Sequence, residues 1–369
     1  MKNRSIPELL FALLIFSLLA FQAQGLGKTP TQSNFILGIA RHDENMKEYL
    51  KPGINPHAKN FGVGINLPER KDFYGQPITV RTFFTSIFEP WENTGRFIKK
   101  VNHYGQLPSL TLEFRSWAQI LKDAAAINAE KNRIDGRFGK GYYDRLMKYV
   151  KDETVLDGVL QGDFDPILKA FAQNISQAGP INFRLFHEPF WFPWKMRGPG
   201  DADKFVSAVK HVHQILRRSG AADVRIAITF DISGFDVEEP ILQKLLADGI
   251  ADVIEIDGYS DAWRRSLWKK DPTVKEMFGP KVKIINKILD SLPAGKKRPL
   301  FIIGETAFDG TGRFSKQRMY LDLIAFAKEN HMNGIVFLDE NDGPLTEGGW
   351  HVDWAIDKDL ARELWEKLY

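Results

Sequence analysis

The sequence has 369 residues, of which 43% are hydrophobic and none is cysteine, and its formal net charge is +3. A chain of this length can bury a large core without disulfides, and its near-neutral charge argues against a nucleic-acid partner, which needs a concentrated basic face. The length allows two domains or one large barrel, and no linker-like stretch or internal repeat divides the sequence.

The N-terminal segment differs in character from the rest of the chain. Two basic residues precede the thirteen-residue apolar run Leu9 to Phe21, and Ala23 to Gly25 offers small residues where a signal peptidase reads the chain. Such a run is short for a stable membrane span, so an uncleaved anchor is the weaker alternative. We therefore predict a signal peptide over residues 1–25, a secreted or periplasmic location, and one barrel domain over residues 26–369.

Eight short apolar segments are predicted to be buried β-strands, because they are rich in β-branched and aromatic residues. They are Phe35–Ala40, Ile78–Phe84, Leu107–Phe114, Ile181–Phe186, Val224–Phe230, a strand that begins with Asp252–Ile256 and ends in Asp257-Gly258-Tyr259, Leu300–Gly304 and Gly334–Leu338. The segments between them carry helical patterns, which are Ser116–Ala129, Tyr142–Tyr149, Pro166–Gln177, Asp203–Arg218, Ile241–Ala247, Lys281–Leu292, Arg318–Glu329 and, at the end, Asp359–Leu368.

This alternation of strands and helices predicts an α/β fold. An open doubly wound sheet has the same alternation, but its usual Gly-x-Gly-x-x-Gly pattern after the first strand is absent from the sequence. Eight strands separated mostly by helices are typical of a single (β/α)8 TIM barrel, which is the fold we predict.

Two glutamates stand at the ends of predicted strands. Glu188 follows the fourth strand and Glu305 follows the seventh, and in a (β/α)8 barrel the carboxyl ends of the strands meet on one rim, where active sites lie. Retaining cleavage of a glycosidic bond needs one protonated carboxyl group as the acid and one ionised carboxylate as the nucleophile, about 5 to 5.5 Å apart. Either glutamate alone could be a solvated charge, so it is the pairing that predicts a glycosidase.

Aromatic residues follow Glu188 closely in the sequence. Trp191 and Trp194 offer flat faces that pack well against the C–H faces of sugar rings. They would also exclude water from Glu188 and so raise its pKa, as the acid of the pair requires. Trp117 and Trp263 follow the third and sixth strands, where they could either line sugar subsites or cap the core.

The sequence around these residues resembles glycoside hydrolase family 26, whose members are retaining barrel enzymes best known as β-mannanases. The matching motifs are Arg184 before His187-Glu188, Trp191-Phe192-Pro193-Trp194, Asp257-Gly258-Tyr259, Gly162-Asp163-Phe164-Asp165 and Thr111-Leu112-Glu113. The resemblance implies that Glu188 is the acid/base and Glu305 the nucleophile. It also implies that His187 orients the carboxylates and that Tyr259 hydrogen-bonds Glu305.

Two stretches depart from the pattern of the family. Only Pro189-Phe190 separates the expected acid from the first tryptophan, where mannanases have a longer insert, and Thr306-Ala307-Phe308 replaces an aromatic-Gly turn after the expected nucleophile. These departures concern the substrate, for which β-1,4-mannan is the first expectation. Alternatives are xylan, another β-glucan, or an acidic bacterial exopolysaccharide, the last suggested by aromatic and cationic residues between positions 261 and 270. A catalytically silent glycan-binding barrel is the alternative from another functional class.

Neither a metal nor a cofactor is predicted. Trp191 stands where a His-Glu-x-x-His zinc motif needs its second histidine. Arg184 is expected to support the site by holding a rim carboxylate such as Glu305 or Glu113 in its ionised form, although buried arginine pairs also occur in barrels without a catalytic role. The one predicted partner is a polysaccharide, and the sequence predicts no particular oligomeric state.

Overall fold

A computed structural model gives the structure of most of the predicted barrel domain. The described residues are 36–40, 80–120, 122–189, 196, 201–232, 238–261, 264–266, 269–338, 356 and 358–368. The predicted signal peptide lies outside these residues. No helix within the described ranges is long and apolar enough to span a lipid bilayer.

Eight parallel strands form a closed barrel in chain order, which confirms the predicted (β/α)8 fold. The strands are β1 (Ile36–Ala40), β2 (Val80–Ser86), β3 (Leu107–Glu113), β4 (Ile181–Leu185), β5 (Val224–Asp231), β6 (Ala251–Ser260), β7 (Leu300–Phe308) and β8 (Gly334–Leu338). The barrel closes between β8 and β1, where Ile36 pairs with Gly334 and Ala40 with Leu338. All strands run in the same direction, so their carboxyl ends meet on one rim.

Helices surround the barrel between the strands. They are α1 (Trp91–His103), α2 (Trp117–Ile120), α3 (Ala124–Phe138), α4 (Tyr142–Lys151), α5 (Val155–Leu160), α6 (Asp165–Ile175), α7 (Asp201–Arg218), α8 (Glu238–Ala247), α9 (Val274–Asp290), α10 (Lys316–Glu329) and α11 (Lys358–Leu368). The predicted helix Ser116–Ala129 is two helices, because Asp123 caps the start of α3 by accepting a hydrogen bond from the Ala126 backbone N–H at 3.0 Å.

Helices α1, α5 and the first part of α9 were not predicted. The sequence of α1 includes Gly95, a poor helix former, but a Cβ there would lie 2.9 Å from the carbonyl oxygen of Asn174, so glycine allows α6 to approach closely. Helix α9 continues through Pro280 and starts earlier than the predicted Lys281. Its start is fixed by a capping box, in which Thr273 and Glu276 each bond the backbone N–H of the other.

Strands β6 and β7 extend beyond their apolar runs and carry polar residues into the barrel. The prediction ended the seventh strand before Glu305, whereas Glu305 lies within β7 and pairs in register with Asp257 of β6, just after a register shift. Gly304 makes this approach possible, since a Cβ there would lie 2.6 Å from Asp257 Oδ1. Glu188, by contrast, lies beyond Leu185, the last residue of β4.

Candidate active site

Arg184 lies at the centre of the polar part of the barrel and is fully buried. Its Nε lies 2.6 Å from Glu255 Oε2, its Nη2 lies 2.7 Å from Asp257 Oδ2, and its Nη1 bonds Glu305 Oε1. Burial alone lowers the pKa of this guanidinium, but Asp257, Glu305 and Glu255 outweigh burial and raise the pKa well above its ordinary value. The side chain is therefore a permanent cation shared by three carboxylates.

Two threonines complete the surroundings of this guanidinium. Arg184 Nη1 donates to Thr111 Oγ1 at 3.2 Å and Nε donates to Thr229 Oγ1 at 3.3 Å. Thr229 in turn donates to Glu255 Oε2 at 2.9 Å. A buried ion pair is stable only when the remaining donors and acceptors are satisfied, and these hydroxyl groups contribute to that condition.

Both oxygens of Glu305 accept hydrogen bonds. Arg184 donates to Oε1, and the Tyr259 hydroxyl donates to Oε2 at 2.7 Å. Burial, and then the negative charges of Glu305 and Asp257, raise the pKa of Tyr259 well above its ordinary value, so the phenol keeps its proton and remains a donor. Acceptance at both oxygens is the arrangement that an ionised carboxylate requires. The Glu305 side chain is thus fixed in one orientation.

Glu188 occupies a different environment. Burial, followed by the charges of Asp231 and Glu305, raises its pKa to about 8, while Arg264 and Arg184 act in the opposite direction. Glu188 is therefore protonated at neutral pH, as a general acid must be.

The backbone around Glu188 is strained. Glu188 and Phe186 have φ of 49° and 51°, in the left-handed region that favours glycine. A non-glycine residue in this region costs on the order of 1 kcal/mol, and such strain is concentrated at functional sites. The two left-handed residues turn the chain directly after β4. The side chain of Glu188 is thus delivered by an irregular segment, whereas that of Glu305 is delivered by a strand.

His187 contacts the same cluster through its Nε2 atom. This nitrogen lies 2.6 Å from Asp257 Oδ2 and 2.9 Å from Arg184 Nη2. Burial, Arg184 and Arg115 lower the pKa of His187 well below its ordinary value, whereas burial raises that of Asp257 against the effect of Arg184. The imidazole is therefore neutral, and its hydrogen bond with Asp257 orients the ring.

Glu113 is buried beside this cluster. Arg115 Nε donates to Glu113 Oε2 at 2.9 Å. Burial raises the pKa of Glu113, while Arg115 and Arg184 oppose the rise. Of the two carboxylates that Arg184 was expected to hold, Glu305 is the one it contacts, and Glu113 is paired with Arg115.

Three of these side chains could in principle hold a metal ion. The ligating atoms of His187, Asp257 and Glu305 all lie within 4.8 Å of one another. However, Arg184 donates hydrogen bonds to both carboxylates, so its guanidinium already provides the positive charge between them. A divalent cation would have to displace a buried arginine, and the cluster therefore suits the guanidinium better than a metal.

Some site residues were predicted from the sequence and others were not. Trp191, Trp194 and Trp263 lie outside the described residues, and Trp117 begins α2 but its side chain also lies outside the description. Three charged residues of the site were not predicted from the sequence, namely Glu255, Asp231 and Arg115. Arg264 was predicted only as one of the cationic residues between positions 261 and 270. One available signal was the spacing of Glu255, Asp257 and Tyr259, because residues two apart on a strand share a face.

Comparison with known proteins shows similarity in structure only. The sequence matches no protein-family model and no curated protein. Solved structures with a similar fold include a GH26 β-mannanase from Bacteroides ovatus, with 16% identity, a TM-score of 0.53, and 91% of this chain and 88% of the other covered. A GH26 endo-β-1,4-mannanase from a Bacillus species has 15% identity and a TM-score of 0.54, covering 91% and 86%. An endo-β-1,4-mannanase from Thermotoga petrophila has 13% identity and a TM-score of 0.52, covering 92% and 77%. The resemblance to family 26 that the sequence motifs predicted is therefore confirmed for the barrel fold.

Proposed function

We propose that the protein is a retaining β-glycosidase that hydrolyses a polysaccharide, with Glu188 as acid/base and Glu305 as nucleophile. The observation that carries this proposal is the contrast between the two carboxyl groups. The pKa of Glu188 is raised to about 8, whereas Glu305 accepts hydrogen bonds at both oxygens from Arg184 and Tyr259. Two carboxyl groups in different protonation states are what double displacement requires.

In the first step, Glu305 attacks the anomeric carbon while Glu188 gives its proton to the departing glycosidic oxygen. A covalent glycosyl ester forms on Glu305, and the negative charge of this carboxylate disappears. Because that charge helps to raise the pKa of Glu188, its loss lowers the pKa. Glu188 is then ready to act as the base that takes a proton from water in the second step. The same pair of residues thus serves both steps.

The surrounding residues act by positioning the nucleophile. Arg184 and Tyr259 fix the two oxygens of Glu305. The carboxylate is therefore already ordered before the reaction, and the entropy cost of reaching the transition state is smaller. Asp257 accepts a hydrogen bond from Arg184 and also holds His187 in position. A catalytically silent barrel would have no need for this arrangement, so the geometry favours an enzyme over a glycan-binding protein.

The first substrate to test is β-1,4-mannan, because the similar structures are those of endo-β-1,4-mannanases. Xylan, other β-glucans and acidic exopolysaccharides remain alternatives. We also propose that the protein acts outside the cytoplasm, where it would meet such polymers. The support is the apolar run Leu9 to Phe21.

Two experiments test the mechanism. Glu188→Gln and Glu305→Gln should each reduce kcat on the best polysaccharide by at least about a thousandfold, since each removes a group that acts in the transition state. Proton NMR of the first product should show the same anomer as the substrate. Activity within tenfold of wild type in either variant, or inversion at the anomeric carbon, would show that the assignment of the pair is wrong.

A further inference from the structure

The loops after β6 and β7 present cations to solvent on the carboxyl rim of the barrel. Arg264 is partly exposed, and Arg313, Lys269 and Lys270 are exposed. We call these four residues the basic rim. Since both loops follow the strands that carry Asp257 and Glu305, the basic rim lies on the same end of the barrel as the catalytic pair.

Two acidic side chains of the same loops, Asp261 and Asp309, are turned inward, whereas a third, Asp271, is 23% exposed and lies 4.0 Å from Arg265. Asp261 is 1% exposed and accepts hydrogen bonds from the backbone N–H of Arg264 at 2.8 Å and from its guanidinium. Asp309 is likewise 1% exposed and accepts from Arg265 at 2.8 Å and from Thr311 Oγ1 at 2.9 Å. These bonds stabilise the loops and keep Asp261 and Asp309 away from solvent. In the described part of these loops, the four cations of the basic rim therefore outnumber the acidic side chains that reach solvent.

Arg264 connects this rim to the catalytic residues. Its guanidinium carbon lies 4.8 Å from the centre of the Tyr259 ring, and Tyr259 donates to Glu305. The positive charge of Arg264 is near enough to Glu188 to lower its pKa against the effect of burial. The Arg264 side chain is 26% exposed, so a molecule bound above the catalytic pair could reach it.

We propose that the basic rim, with Arg264 nearest the reaction centre, binds carboxylate groups of the polysaccharide, so that the preferred substrate is an anionic β-linked glycan containing uronic acid. This inference rests on the proposed function, because it takes Glu188 and Glu305 as the point of cleavage. A guanidinium has five donors in a planar array that matches a carboxylate. The lysines add a longer-range attraction that raises the local concentration of a negatively charged polymer.

The test compares each anionic polymer with its own carboxyl-reduced form, which has the same backbone and linkages but no charge. Glucuronoxylan carries glucuronate on side branches, whereas gellan carries it in the backbone. Comparing these two polymers therefore also shows whether the recognised carboxylate lies on a branch or in the backbone. For at least one polymer, we expect kcat/KM of the wild type to be about tenfold or more higher on the native form than on the reduced form. Binding of the polymers to Glu188→Gln, measured by calorimetry, should show the same preference. In about 0.5 M NaCl this preference should shrink severalfold, because salt screens exposed charges.

Arg264→Gln should lose about tenfold more on the native polymer than on the reduced one, because any effect through Tyr259 and Glu188 is common to both polymers. Arg298→Gln is the matched control, since Arg298 is exposed, pairs with Asp290 and precedes β7 at the opposite end of the barrel. Equal losses on both polymers would show that Arg264 acts only through Tyr259 and Glu188, and would overturn the inference. So would a wild type that prefers the reduced polymers or binds none of the native ones.

These outcomes separate this inference from the proposed function. Cleavage of neutral mannan with no preference for charged polymers refutes the inference and leaves the glycosidase intact. Binding of a native polymer that depends on Arg264, without cleavage of any polymer, supports the basic rim and refutes the enzyme. Lys270→Gln, at an exposed position, gives a second variant whose smaller loss on the native polymer is expected even if Arg264→Gln folds poorly.

Discussion

The acidity of Glu188 sets the pH range in which the proposed mechanism can operate. With a pKa of about 8, roughly nine molecules in ten carry the catalytic proton at pH 7. A glutamate with the ordinary pKa of 4.5 would carry it in about three molecules per thousand. The environment of Glu188 therefore supplies roughly 300-fold more acid at neutral pH, and kcat/KM should fall above about pH 8.

The substitution Asp231→Asn tests the cause of this acidity. After burial, the carboxylate of Asp231 contributes most to raising the pKa of Glu188. If its repulsion amounts to about 1.4 kcal/mol, its removal lowers that pKa by about one pH unit. The basic limb of the kcat/KM profile should then move down to about pH 7, while activity at about pH 5.5 changes little.

The assay is kcat/KM between about pH 5 and 10 on the best polysaccharide for wild type and Asp231→Asn. A dinitrophenyl glycoside is the control substrate, because its leaving group needs no proton and its profile should lack the limb due to Glu188. A basic limb that stays in place in Asp231→Asn, with an unchanged circular dichroism spectrum, would falsify the electrostatic reasoning. A limb of equal size with the dinitrophenyl glycoside would show that it belongs to another group.

Three further predictions concern the residues around the pair. Tyr259→Phe removes one charged hydrogen bond to Glu305 and should reduce kcat by about tenfold to a hundredfold with little change in unfolding temperature, measured by steady-state kinetics and calorimetry. Arg184→Met leaves buried carboxylates without their cation and should lower the free energy of unfolding by about 3 to 5 kcal/mol in urea titrations, so a loss below about 1 kcal/mol would contradict its central position. Glu89 and Glu130 have pKa values raised to about 7, mainly by burial. Because the folded state binds these protons more tightly than the unfolded state, the stability that these groups contribute should be highest below about pH 4.5 and fall as pH rises through 7. Glu130→Gln should make this fall in the free energy of unfolding smaller.

The strands were predictable because parallel barrel strands are buried on both faces and so appear as continuous apolar runs. The fifth strand was predicted as Val224–Phe230 and observed as Val224–Asp231. The sixth strand was predicted to end in Asp257-Gly258-Tyr259, and it does extend through these residues, whereas the polar end of β7 was not predictable in this way. Glu305 indicates the end of a strand by composition, and only the cation brought by Arg184 from another strand makes its burial possible. That information is not local in the sequence.

The same distinction applies to the candidate site. Glu188 and Glu305 could be proposed from their positions after apolar runs, together with motifs that resemble a known family. The influence of Asp231 and Arg264 on Glu188 could not, because it depends on distances between side chains from different strands and loops. Pairwise electrostatics of this kind appears only once the barrel has closed.

The left-handed backbone at Glu188 implies a conflict between activity and stability within one residue. Its φ of 49° is one that glycine adopts without steric cost. Glu188→Gly should therefore yield a protein that is inactive but at least as stable as wild type, since it removes both the backbone strain and a partly buried carboxyl group. Selection for stability alone would remove this side chain, so its presence in the chain is itself a sign that the carboxyl group has a function.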